Sequence, residues 1–303
     1  MLRRTRPLRG PRSPGRRRAR QLLPAGILAV LVAASVSWPT TREGAAALAP
    51  GEVRVATWNM CGVRQWNCQD TGDGSRKVRA LERLAGVDGV RVFLLQEVCA
   101  GDLAAARSRL GSNWHSAFTA YVHRDAHNRG TAVRCAAHGQ GTAGIAILAS
   151  SPLSRVTEVP AQQPSAGLRR GIICATAAVH RLRVCNAHLS LPGSDPAHPG
   201  WEFRDDQLES LMGAADGRTV FGGDLNSAPP SARNRSGWIW PRGFFRRFQE
   251  CDQASPSSRG GRATLASGHK VDYLFTALPR TGCSVHDTGA SDHYALVLRT
   301  KTG

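Results

Sequence analysis

Apolar residues recur from residue 53 onward in short runs separated by polar, glycine-rich or proline-rich segments. Runs of this length bounded by turn residues are expected to be strands. They cover Val53 to Trp58, Val90 to Gln96, Gly144 to Ala149, Gly171 to Val179, Leu182 to His188, Thr219 to Phe221, Val271 to Phe275 and Tyr294 to Leu298. Three other stretches space their apolar residues three and four apart, the period of a helix packed on one face. These are Arg76 to Ala85, Leu103 to Leu110 and Glu202 to Ala215. Residues 64–75, 123–142, 192–200, 227–243 and 253–270 are rich in Gly, Pro, Ser and charge and are expected to be surface loops. Strand and helix alternate early, then strands dominate, which predicts an α/β layered protein with mixed sheets. No repeat or linker divides the chain after residue 50, so one domain over 50–303 is the simplest organisation.

The first 49 residues have a different character. Nine arginines and no acid fall in residues 1–20, followed by the apolar stretch Leu22 to Val36 and a small-residue segment, Gly44 to Ala49. That succession is the pattern of a secretory signal or leader. Arg16-Arg17-Arg18 leaves the general and twin-arginine export routes both open, and a retained membrane anchor is the alternative to cleavage, although the apolar stretch is short for a span. The leader also inflates the formal charge of +18: it carries ten arginines against one glutamate, so +9 belongs to the remainder. A basic excess favours polyanionic partners, nucleic acid first among them. All eight cysteines lie beyond the leader and none forms a C-x-x-C pair, the spacing of zinc ribbons and thioredoxin-like sites. An even number behind an export signal predicts disulfides and a secreted protein. Cys174 with Cys185, opposite each other on a suspected hairpin, and Cys61 with Cys68, bracketing a short loop, are the two pairings with a local reason.

Polar residues collect where the apolar runs end. Asn59 follows the first run, Gln96 and Glu97 close the second, His188 closes the fifth, and Gly223-Asp224-Leu225-Asn226 follows the sixth. Ser291-Asp292-His293 precedes the last. Residues i and i+2 on an extended backbone share a side, so Asp224 and Asn226 are expected to project together. Carboxylates, carboxamides and an imidazole at strand ends supply oxygen ligands for a hard divalent cation and a base of near-neutral pKa, the requirements of metal-assisted attack on a phosphate ester.

Six strings, in this order along the chain, resemble the endonuclease/exonuclease/phosphatase superfamily, which includes deoxyribonuclease I: Thr57-Trp58-Asn59, Gln96-Glu97, Ala187-His188-Leu189, Gly223-Asp224-Leu225-Asn226, Val271-Asp272-Tyr273-Leu274-Phe275 and Ser291-Asp292-His293. The resemblance implies a four-layer α/β sandwich, two mixed sheets packed face to face with helices outside. It also implies that Asn59, Glu97 and Asp292 bind Mg2+ (or Mn2+, with Ca2+ a further option). Asp224 and Asn226 would position the nucleophilic water and the phosphate. His293, oriented by Asp272, would be the general base or a phosphate stabiliser, and His188 would contact the phosphate or assist the leaving group. Arg170 is the expected phosphate-binding arginine, with Arg169 equally adjacent. The deoxyribonuclease branch has a carboxylate orienting the first histidine, and none is evident here.

The substrate is less legible. Trp238 to Phe248 interleaves aromatics with arginines, a pattern that serves either base stacking or a buried aromatic cluster with arginines outside. Arg124, Arg129 and Arg134 either line the cleft or are solvated. The main expectation is a secreted, monomeric, metal-dependent endonuclease acting on DNA or RNA. The alternatives are a phosphatase or phosphodiesterase of phospholipid head groups or inositol phosphates, a toxin-like nuclease subunit suggested by Val53 to Met60, and a non-catalytic binding protein on the same scaffold.

Overall fold

A computed structural model describes residues 51–68, 71–136, 139–231 and 234–303. The expected leader therefore lies outside the described residues. One sheet contains β1 (Glu52–Asn59), β2 (Val92–Cys99), β3 (His115–Ala120), β6 (Ala143–Ala149), β14 (Arg280–His286) and β15 (Ala295–Lys301), in the order β14-β15-β1-β2-β6-β3. The second contains β7 (Leu153–Glu158), β9 (Gly171–Ala177), β10 (Leu182–His188), β11 (Thr219–Asp224), β12 (Gln249–Glu250) and β13 (Asp272–Thr276), in the order β12-β13-β11-β10-β9-β7. Each is mixed: β1 and β2 are parallel in the first, β10 and β11 in the second, and the other neighbours are antiparallel. A third, small sheet joins β4 (Val122–Arg124) to β5 (Gly130–Ala132) and β8 (Gly167–Arg169).

The period-two alternation of the strands divides the apolar residues into layers. Val53, Val55, Val92, Leu94, Ile145 and Ile147 of the first sheet share one core with Ile173, Ala175, Val184, Val220 and Leu274 of the second. The opposite face of the first sheet, with Ala56, Trp58, Phe93 and Leu148, packs under α1 (Gly74–Gly86) and α2 (Ala100–Leu110). The opposite face of the second, with Ile172, Phe221 and Phe275, packs under α3 (Arg204–Gly213) and α4 (Phe244–Arg247). Two face-to-face sheets between outer helices make the four-layer α/β sandwich that the resemblance implied. In the aromatic segment Trp240, Phe244, Phe245 and Phe248 are buried while Arg246 and Arg247 are exposed, so its rings are core; Trp238 alone stays outside.

Four disulfides pair all eight cysteines: Cys61–Cys68, Cys99–Cys135, Cys174–Cys185 and Cys251–Cys283. The first and third are the two pairings expected from the sequence. Cys174 and Cys185 face each other directly across the β9–β10 pair. Four bridges suggest an oxidising, extracellular environment. No helix among the described residues is long and apolar enough to cross a membrane.

Candidate active site

The same alternation that fills the inter-sheet core places polar groups at its upper rim. Residues 53 and 55 of β1 point inward, so Thr57 and Asn59 do as well; by the same count Asn186 and His188 follow Val184, Asp224 follows Val220, and Asp272 precedes Leu274. The apolar layer thus ends in Asn59, His188, Asp224 and Asp272, all at one end of the parallel strand pairs. All four are at least 98% buried.

Glu97 reaches this rim by a different route. The β2–β6 register slips between Leu95 and Val98, and Glu97 takes φ of 51°. A bulge with a left-handed residue re-aims a side chain, and here it delivers the carboxylate to Asn59, whose Nδ2 donates to Glu97 Oε1 at 3.1 Å and to Asp224 Oδ2 at 3.0 Å. Asn59 Oδ1 accepts from the Cys61 amide at 2.9 Å, and its second lone pair remains available to a cation. Burial raises the Glu97 pKa to about 7 and also raises that of Asp224. His293 and Arg170 offset only part of this cost, so the two buried carboxylates stay raised and short of positive charge. The donor set therefore fits a hard divalent cation.

Asp224 closes β11 in a turn rather than continuing an extended strand, which alters the expected i, i+2 geometry. Asn226 has φ of 48°, and its amide donates to Asp224 Oδ1 at 2.9 Å. Its side chain donates to Leu189 O at 2.9 Å, and its carbonyl accepts from buried Arg204 at 2.7 Å. Both side chains still line one cleft of about 490 Å³, together with Glu97, Arg170, His188 and His293. Gly223 is required for the approach: its φ is 133°, and a Cβ there would lie 1.9 Å from Ala187 O on the neighbouring strand.

Two histidines flank Asp224 Oδ2. His188 Nε2 approaches it to 3.4 Å and His293 Nε2 to 3.9 Å. The His293 Nδ1 donates to Asp272 at 2.9 Å. Burial opposes its charge, but Asp272, Asp224 and Asp292 outweigh burial and raise its pKa to about 10. His188 is held instead by a residue that no sequence signal singles out: Tyr121 Oη lies 2.7 Å from His188 Nδ1 and accepts the Glu97 amide at 3.0 Å. With the hydroxyl accepting from Glu97, its own proton goes to Nδ1, which leaves the Nε2–H tautomer directed at Asp224. Burial first, then Arg170 and His293, push the His188 pKa well below its ordinary value, so the ring is neutral. The role expected of a carboxylate is filled by a phenol.

Asp292 stands apart from these. It is exposed and lies outside the groups of converging ligand atoms found among the described residues, Asp224/Asp272/His293 and Cys61/Cys68/Glu97; the cysteines of the latter are bridged. Asp292 acts at longer range, on His293 and on Lys77. Lys77, also missed in the sequence, is a buried ammonium donating to Met60 O at 2.6 Å, Ala290 O at 2.7 Å and Thr71 Oγ1 at 3.1 Å. Burial lowers its pKa to about 8. It ties α1 to both segments that carry site residues. Ser291 completes the tie, donating to Asn59 O at 2.7 Å and accepting from the His293 amide at 3.0 Å.

A model of the Endonuclease/Exonuclease/phosphatase family matches residues 56–293. Among solved structures, an endonuclease/exonuclease/phosphatase from Beutenbergia cavernae DSM 12333 is 22% identical with a TM-score of 0.62, covering 83% of this chain and 72% of its own. The human Nocturnin catalytic domain with bound sulfate is 18% identical with a TM-score of 0.58, covering 83% and 94%. An AP endonuclease from Archaeoglobus fulgidus is 17% identical with a TM-score of 0.51, covering 81% and 98%. At these identities the likeness is one of fold. No curated protein sequence matches the chain.

Proposed function

The chain belongs to the endonuclease/exonuclease/phosphatase family, whose members hydrolyse phosphoester bonds, and from that premise we propose that it is a secreted, divalent-metal-dependent phosphodiesterase acting on nucleic acid, DNA first and RNA second. The observation that carries the reading is the pair of imidazoles converging on Asp224 Oδ2, one charged and one neutral, beside the carboxylate of Glu97. Enzymes of the family generally use divalent metals. Asn59 and Glu97, with Asp292, are the proposed ligands of Mg2+ (or Mn2+ or Ca2+). Such a cation, held there, would supply charge neutralisation to the phosphate and the departing oxygen.

The chain's own residues do the rest. Asp224, fixed by the Asn226 amide and the Asn59 side chain, holds the attacking water and takes its proton as the new P–O bond forms and the leaving P–O bond breaks. With its pKa raised to about 10, His293 enters the reaction charged, which favours phosphate stabilisation over the general-base role. The His188 Nε2–H donates toward a phosphate oxygen, and Arg170, on the cleft wall, faces the same charge. Asn226 sets the water and phosphate in register.

The test is hydrolysis by the purified protein of plasmid DNA, RNA, sphingomyelin and inositol phosphates, with Mg2+, Mn2+ or Ca2+ and with chelator. The reading expects chelator-sensitive cleavage of DNA or RNA. Turnover of the lipid or inositol substrate alone would transfer the protein to the alternative, and turnover undiminished by chelator would remove the metal.

A further inference from the structure

Beside the catalytic cleft lies a second cavity, of about 370 Å³, whose wall carries three arginines against one carboxylate. Its geometry comes from the small sheet. Val122 of β4 pairs with Arg169 of β8, and Arg124 with Gly167. Arg124 and Arg169 are therefore diagonal neighbours on one face of the sheet. Arg170 follows at the junction with β9 and lines both this cavity and the catalytic cleft.

Three polar atoms around the cavity are buried without a partner: Arg124 Nε, Arg170 Nε and Gln163 Oε1. Arg124 donates to Asn128 through one terminal nitrogen. The Arg169 side chain makes no hydrogen bond or ion pair with a described residue, although its backbone pairs with Val122. The nearby Asp125 is occupied by Arg129 at 2.8 Å. The one carboxylate on the wall, Glu158, accepts from Thr119 Oγ1 at 3.0 Å and pairs with none of the three arginines. Burial, and then the charge of Arg124, lower the Arg169 pKa. Guanidiniums that repel one another while presenting unpaired buried N–H groups are costly in folding alone. A bound anion offsets both costs, and a phosphate matches the guanidinium fork.

We propose that Arg124, Arg169 and Arg170 form a second phosphate subsite, continuous with the catalytic cleft through Arg170, that binds a further phosphate group of the same substrate molecule. The inference rests on the phosphodiesterase reading and narrows it: the preferred substrate carries a second phosphate beside the one attacked. That group comes either from the neighbouring nucleotide of a polynucleotide or from another position of a multiply phosphorylated small molecule. Continuity with a basic, nucleic-acid-directed cleft favours the polynucleotide.

Two measurements on the full protein with Mg2+ test this. The first compares KM for thymidylyl-thymidine, which has one phosphate, with KM for its 5′-phosphorylated form, which has two, and with KM for inositol 1,4-bisphosphate. The wild type should prefer the two-phosphate dinucleotide by about tenfold, and Arg124→Ala/Arg169→Ala should erase that ratio. Arg79→Ala, on the outer face of α1, should leave it intact. Arg124→Lys/Arg169→Lys keeps the charge without the fork and should recover part of the preference. The second measurement is binding of a fluorescent oligothymidylate to the Asp224→Asn protein, where loss of the one further phosphate contact in the double variant flattens the log–log salt dependence by roughly 0.7 for single strands. A KM for inositol 1,4-bisphosphate below that of both dinucleotides, raised in the double variant while the dinucleotide values do not move, assigns the subsite to small molecules. Equal KM values in the wild type, or a ratio and salt slope unmoved in a double variant with native circular dichroism and melting, overturn the subsite. Absence of any turnover refutes the catalytic reading instead, and the binding slope then decides the subsite alone.

Discussion

The two imidazoles beside Asp224 are built from opposite arms of the sandwich and end in opposite charge states. His293, just before β15 of the first sheet, is held by a carboxylate, Asp272, at the start of β13 in the second sheet, and its pKa rises to about 10 although it is largely buried. His188 is held by a phenol, Tyr121, reaching across from the first sheet, and its pKa falls well below the ordinary value. Both rings lie within 4 Å of the same oxygen. Burial disfavours charge on both rings; the carboxylates around His293, Asp272 foremost, outweigh it there, whereas at His188 burial prevails with Arg170 and His293 adding to it.

The strongest way to break this contrast is Asp272→Asn. It removes the main charge sustaining the imidazolium and is expected to lower kcat by about 10³-fold or more. In an NMR titration the His293 pKa should fall toward its ordinary value. Because the folded-state pKa is raised above the ordinary 6.5, the His293–Asp272 pair stabilises the fold fully below pH 6.5, and the contribution fades as the pH rises toward 10. Melting temperatures of the two proteins should accordingly converge at high pH.

The Tyr121 arm is braced covalently, since Cys99–Cys135 joins the end of β2, just past Glu97, to the segment after β5. Its closed loop spans 36 residues, and Cys99→Ala/Cys135→Ala should cost about 4 kcal/mol in denaturant-determined stability. Tyr121→Phe probes the same arm more gently. It removes the hydroxyl from both Glu97 N–H and His188 Nδ1, and a loss of about 10- to 100-fold in kcat is expected. A loss as large as that of Asp272→Asn would mean that the two arms do the same work.

The smallest effect concerns the cation. With the Glu97 pKa raised to about 7, protons compete for the carboxylate below that pH. Mg2+ affinity measured by calorimetry should increase about fivefold from pH 6 to pH 7, about tenfold by pH 8, and level off above that. A flat profile would remove Glu97 from the ligand set.

Legibility in the sequence followed burial. Strands covered on both faces, such as β2 and β6, are continuous apolar runs and were expected within a few residues. β7, with the sequence Leu-Ser-Arg-Val-Thr-Glu, and β14, with Arg-Thr-Gly-Cys-Ser-Val-His, are partly exposed and carry too little apolar signal to stand out. β4 and β5 fell inside the segment expected to be a loop, 123–142, or at its edge, because they pair only within the small sheet. In the site, Asn59, Glu97, His188, Asp224 and His293 were legible because polar residues ending apolar strands are conspicuous. Tyr121 was not, since a lone tyrosine just beyond His115 to Ala120 looks like an ordinary core residue. The bulge at Glu97 and the turn at Asn226 were also invisible, because both are set by neighbouring strands rather than by local sequence.

The central claim is that phosphodiester hydrolysis occurs at Asp224 between these two rings. Its most direct test is p-nitrophenol release from bis(p-nitrophenyl) phosphate in saturating Mg2+ by the wild type, Asp224→Ala and His293→Ala, each first shown to be folded. Chelator-sensitive turnover in the wild type and loss of about 10³-fold or more in both variants are the predicted result. Turnover persisting near the wild-type rate in either variant would contradict the account.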